Sequence, residues 1–113
     1  MFAFVVSLRR PLDEADRATL AALARVNIPV HVLDAATLDP ARLADACALP
    51  PRLVMVAVDD AALGERLAAG GYDAHVLGAG EPLANALPAL EVAFCRASLE
   101  LRGLVARLFR RPH

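Results

Sequence analysis

At 113 residues and 11.9 kDa the chain has material for one domain and not for two. Hydrophobic residues make up 58% and mean hydropathy is +0.46, which excludes intrinsic disorder, while a net charge of −1 gives no bulk field for nucleic acid or an anionic membrane. All 12 basic residues are arginine, so composition alone excludes a Schiff-base lysine and a phosphate loop that depends on one.

The first element is a buried strand over 2–8. Its apolar run lacks a basic leader and is followed by Arg9-Arg10-Pro11, so it reads as neither a signal peptide nor a membrane span. A helix follows from Asp13 or Glu14 to about Val26, with acids in its first turn and a buried stripe of Leu20, Leu23 and Val26. A second strand over 29–34 carries His31 among valines, which suits a sheet edge. Asp39-Pro40 is an N-cap with proline at the first helical position, and opens a helix that stops before Pro50-Pro51. The third strand, 52–58, is apolar on both faces and therefore central. Asp59-Asp60 caps a third helix that leaves through Gly70-Gly71, and a fourth strand spans 74–78. Strands alternating with helices predict a four-stranded parallel sheet in the order 2-1-3-4 with helices on both faces.

Residues 83–113 form one long helix, part of the same domain as the 1–82 core. Leu87, Leu90, Phe94, Ala97, Leu101, Leu104 and Leu108 recur at alternating intervals of three and four, a heptad seam. Roughly 24 to 28 helical residues would reach about 36 to 42 Å, more than a small sheet covers. Pro88 is a possible break, and either the helix folds along the sheet or breaks at Gly103, or its C-terminal half pairs with a second copy. The pairing reading assigns a homodimer surface to Phe94, Ala97, Leu101, Leu104 and Leu108. Arg96, Arg102, Arg107, Arg110 and Arg111 read as a solvated face rather than a nucleic-acid footprint.

Candidate chemistry is sparse. Open parallel sheets bind ligands at the carboxyl ends of their strands, where this chain places Asp34, Asp59 and Asp60. No acid follows the first strand to complete a metal or phosphoacceptor cluster, so these acids read as helix caps and turn residues. The loop Leu77-Gly78-Ala79-Gly80-Glu81-Pro82 could offer N–H groups to a phosphate through Gly78 and Gly80, but it lacks the third glycine of a dinucleotide turn. Ser7 has no nucleophile-elbow context. His31, His75 and His113 have no ligand-spaced partner, and Cys47 and Cys95 read as small hydrophobes of a reducing cytoplasm. The residues point to no enzyme, metal or cofactor.

The segment Leu53-Val54-Met55-Val56-Ala57-Val58-Asp59-Asp60, its helix ending Gly70-Gly71-Tyr72-Asp73, the strand Ala74-His75-Val76-Leu77 and the long final helix resemble the closing part of a response-regulator receiver domain. The opening Ala3-Phe4-Val5-Val6-Ser7-Leu8 to Leu33-Asp34-Ala35 resembles that fold's first βαβ unit. The resemblance implies a flavodoxin-like three-layer sandwich, reduced from five βα units to four. Ser7-Leu8 stands in the acidic-pair region, Ala57 or Val56 in place of a functional residue, and lysine is missing. A phosphorylation-independent pseudo-receiver of bacterial signal transduction and transcription regulation is therefore implied. Its long dimerising helix is similar to that of the antiterminators that carry an RNA-binding ANTAR module, although the ANTAR signature itself does not follow Arg111. The resulting expectation is a cytoplasmic, non-enzymatic dimer that binds a protein partner, not a membrane or a nucleic acid. The alternatives are a small ligand- or nucleotide-binding domain using the strand ends, and an accessory subunit of a larger assembly.

Overall fold

A computed structural model describes residues 2–109, with side chains described through residue 99 and at Gly103. Strands β1 (Ala3–Ser7), β2 (Val30–Val32), β3 (Val54–Val58) and β4 (Asp73–Val76) form one parallel sheet in the order β2-β1-β3-β4. Between and after them run helices α1 (Glu14–Arg25), α2 (Pro40–Cys47), α3 (Ala61–Ala69) and α4 (Leu87–Phe109). Register places Val5 between His31 and Val56, and Ala57 beside His75. The two central strands are buried at every residue, as their unbroken apolar runs require.

The period of two along β1 and β3 divides the core. Phe2, Phe4, Val6, Met55 and Ala57 meet Leu23 of α1 and Leu90, Ala93 and Ala97 of α4 on one face. Val5, Val54, Val56 and Val58 meet Leu43 of α2 and Leu63 and Leu67 of α3 on the other. The chain reverses direction across the sheet after β2, and crossovers of a single hand then require α1 and α2 to lie on opposite faces. The result is a three-layer, flavodoxin-like α/β sandwich.

The helix starts follow the sequence signals. Asp13 and Asp16 form a reciprocal capping box on α1, Asp39 accepts from Arg42 N with Pro40 behind it, and Asp60 accepts from Ala62 N. The α3 exit is completed by Gly71 at φ +90°. The edge strand β2 is shorter than the predicted 29–34, yet its ladder continues through Phe4 N–H to Pro29 O and Leu33 N–H to Val6 O.

Three expectations are corrected. Val26 does not join the buried stripe of α1: it is the C-cap residue, past the last helical turn, and is 63% exposed. Cys95 is exposed on α4 rather than packed as a small hydrophobe, because the core face of that helix is carried by Leu90, Ala93 and Ala97. The last helix starts at Leu87 and not at residue 83, because Leu83–Ala86 form a separate 3-10 turn after Pro82, and neither Pro88 nor Gly103 breaks it. Pro88 falls in the first turn of α4, where its missing N–H has no intrahelical partner to lose, and the helix runs through Gly103 to Phe109.

Candidate functional site at the carboxyl end of the sheet

Strand order reverses between β1 and β3, so the crevice beyond their carboxyl ends is where an open parallel sheet presents a ligand site. Four consecutive residues carry β1 over that edge. Ser7 is fully buried and its hydroxyl donates to Leu33 O at 3.0 Å, tying β1 to β2 and removing it as a nucleophile. Leu8 packs against the α1/α4 side of the core. Arg9 and Arg10 then turn their backbone N–H groups toward β3, where Asp59 accepts both: Arg9 N at 2.9 Å from Oδ1 and Arg10 N at 3.2 Å from Oδ2.

Their guanidinium groups diverge. Arg9 reaches Asp60 at 2.6 Å, on a side chain that is 66% exposed. Arg10 folds inward and pairs with Asp16 through both of its terminal nitrogens, and it also donates to Pro11 O at 3.1 Å and Glu81 O at 3.0 Å. Asp16 accepts in addition from Asp13 N and Leu83 N, each at 3.0 Å. One buried carboxylate thus joins the β1–α1 turn, the first turn of α1 and the segment leading into α4.

These contacts fix the protonation states. Hydrogen bonding from Arg10 outweighs burial and, with the Asp13 and Leu83 N–H groups, holds the Asp16 carboxyl far below the usual carboxylate range. Arg10 is pushed up in turn, chiefly by the same hydrogen bond. Burial raises Asp60, but the N–H groups of Ala62 and Leu63 and the Arg9 charge prevail and lower it. Asp16 is therefore an anion with both oxygens engaged, unsuited to proton transfer near neutrality.

The structure brings two of the five predicted rim residues, Asp59 and Asp60, onto Arg9 and Arg10. Asp34 lies one strand away, where its Oδ1 accepts from Ala36 N at 3.0 Å. It borders two open clefts, one of about 450 Å³ shared with Leu8, Arg9 and Ala35, the other of about 330 Å³ shared with Thr37, Arg42 and Asp45. Gly78 and Gly80 build a separate turn, closed by Glu81 N–H to Gly78 O at 3.1 Å with Gly80 at φ +73°. A Cβ at either glycine would meet nothing within 4 Å, so neither is there to admit a close neighbour. Sequence reasoning missed Arg9, Arg10 and Asp16. The available signals were the Asp13-x-x-Asp16 capping spacing and a pair of arginines directly at a strand exit.

His31 and His75 are half-buried on the two edge strands, and no group of three His, Cys, Asp or Glu able to hold a metal ion occurs among the described residues. Among those residues no helix is long and apolar enough to cross a membrane. On α4, Phe94 is 40% exposed and stacks edge-on against Phe2 at 5.6 Å, whereas Ala97 is buried in the chain's own core. The side chains of Leu101, Leu104 and Leu108, and those of Arg102 and Arg107, lie outside the described residues, as do residues 110–113. Comparison with protein-family models, with curated proteins and with solved structures finds no match to this chain.

Proposed function

We propose that this chain is a non-catalytic regulatory interaction domain of the cytoplasm, a phosphorylation-independent pseudo-receiver that forms a homodimer through α4 and presents its remaining surface to a protein partner. The observation that carries the reading is the reach of α4. From Ala97, the last of its described side chains in the core, the helix continues to Phe109, about 18 Å at 1.5 Å per residue. The molecule is correspondingly drawn out to 57 × 29 × 21 Å. Leu99 is 66% exposed at the start of that projection, and the sequence beyond it repeats Leu101, Leu104 and Leu108 on one face. An apolar stripe repeated along a projecting helix is stabilised by burial, and a self-complementary two-fold contact is the commonest way to provide it.

The strand-tip crevice supports the non-catalytic part of the reading. Its carboxylates are held by N–H groups and guanidiniums of the same chain, and the sequence has no lysine to stabilise an acyl phosphate. Ala97 packs in the chain's own core, so the surface proposed for the second copy is Phe94, Leu101, Leu104 and Leu108 without it. Light scattering over a concentration series tests this directly. The native chain is expected at the dimer mass, and Leu101→Glu at the monomer mass with a cooperative unfolding transition retained. A monomeric native chain, or an unchanged mass for Leu101→Glu, overturns the assignment.

A further inference from the structure

Two adjacent backbone N–H groups in a turn can cradle the separate oxygens of one anionic group between them. Arg9 and Arg10 supply such a pair, and the group seated on it is a carboxylate of the chain itself, with Asp59 Oδ1 2.9 Å from Arg9 N and Oδ2 3.2 Å from Arg10 N. The cradle lies between β1 and β3, where the strand order reverses. The Arg9 guanidinium adds a third donor group beside it, now turned to Asp60 and largely exposed. A cleft of about 450 Å³ opens at the same residue, lined by Leu8, Arg9, Asp34, Ala35 and Ala36. Asp60 has a separate structural duty as the N-cap of α3, whereas both oxygens of Asp59 go to the cradle.

We propose that the Arg9–Arg10 turn is an oxyanion-binding site that the chain keeps closed with its own Asp59, and that its ligand is a phosphate monoester whose organic part lies in the cleft beside Asp34. A carboxylate ligand would offer only what Asp59 already offers, against the advantage of a tethered competitor. A phosphate dianion brings more charge and three oxygens, enough for both N–H groups and a forked contact with the Arg9 guanidinium. Asp34 in the cleft repels a second anionic group and accepts from hydroxyls, which favours a hydroxylated organic part. Entry of the ligand displaces Asp59 and uncouples the β3–α3 turn from the β1–α1 turn, so Asp59 is an autoinhibitory contact. The inference is independent of the dimer.

The test uses the full chain and inorganic phosphate, with sodium chloride at matched ionic strength as control, read by calorimetric titration and by the amide resonances of Arg9 and Arg10. Asp59→Ala is expected to bind phosphate at least about tenfold more tightly than the native chain. Adding Arg9→Gln should abolish the gain. Glycerol 3-phosphate should bind Asp59→Ala more tightly than inorganic phosphate, and equal or weaker binding overturns the monoester assignment. A folded Asp59→Ala chain that binds phosphate no better than the native one overturns the site. Should that variant not fold, the native chain decides: saturable movement of the Arg9 and Arg10 amides with phosphate and not with chloride supports the site, and its absence overturns it.

Discussion

The Arg10 guanidinium and the Asp16 carboxylate meet nitrogen for oxygen, and each Asp16 oxygen takes a second donor from the backbone, Asp13 N–H on one and Leu83 N–H on the other. The Asp16 side chain is fully buried and that of Arg10 is 24% exposed. Removing Asp16 leaves the Arg10 guanidinium without its counter-ion and the Asp13 and Leu83 N–H groups without their acceptor, and breaking a buried pair in this way costs about 3–5 kcal/mol in measured cases. Asp16→Ala should therefore lower the urea midpoint severely. Far-UV circular dichroism at low temperature will report whether the sheet survives.

The same pair sets an acid limit. Asp16 titrates lower in the folded chain than the unfolded value of about 3.9, so its contribution is complete above that value and is lost as pH falls toward the folded one. The native chain should lose stability between about pH 4 and pH 2. Asp16→Asn, already weakened, should show a flatter curve across that window. Parallel curves for the two chains would show that the Asp16 charge contributes nothing specific.

The elements were legible in the sequence because their signals are local: capping acids before α1, α2 and α3, short unbroken apolar runs at β1 and β3, and glycine after α3. Even the sheet order follows from which run is apolar on both faces and which carries a histidine. The site was legible only as a set of strand-tip acids. What each acid would meet was not, since the contacts span 49 and 50 residues from Asp59 to Arg10 and Arg9, and 67 from Asp16 to Leu83. Asp16 illustrates the limit, for its spacing from Asp13 announces a capping box while its burial depends on Arg10 folding inward over it. Val26 fails for the opposite reason: its spacing fits the stripe of α1, but the helix ends one residue before it.

The two halves of α4 should respond differently to mutation. Leu90 is buried in the core under the sheet, and Leu90→Ala should destabilise the chain by about 2–5 kcal/mol at any protein concentration. In the proposed dimer Leu101→Glu acts through association, so it should remove the concentration dependence of the unfolding midpoint while leaving a folded monomer. Thermal melts at several concentrations separate the two effects. A concentration-independent loss of stability in Leu101→Glu would place that residue in the monomer's own fold.

Thiol chemistry offers a probe of local order. Cys95 is exposed on α4, whereas Cys47 closes α2 against the second core face, where burial pushes its thiol up and reduces the thiolate. Labelling of the native chain with Ellman's reagent near neutral pH should show one fast and one slow phase, merging in denaturant. Two equal fast phases would mean that α2 opens readily at its carboxyl end.

Gly64 of α3 faces the sheet at β3 and β4, and a Cβ built there would lie 2.7 Å from Val76 Cγ2 and 3.6 Å from Val58 Cγ2. Two effects compete in Gly64→Ala. Replacing a mid-helix glycine gains about 1 kcal/mol of helix propensity, while overpacking costs about 1–3 kcal/mol. Valine is stiff at χ1, so Val76 cannot yield without leaving its rotamer, and the single substitution should be destabilising. Val76 is 44% exposed and contributes little burial, so Val76→Ala alone should cost less than Leu90→Ala. Together the two remove the clash and keep the propensity gain. The double variant should then be more stable than Gly64→Ala alone, with a favourable coupling of about 1 kcal/mol or more in a urea double-mutant cycle. Strict additivity would show that α3 can lift from β4 without cost, and that the tight approach at Gly64 is not what seats the helix.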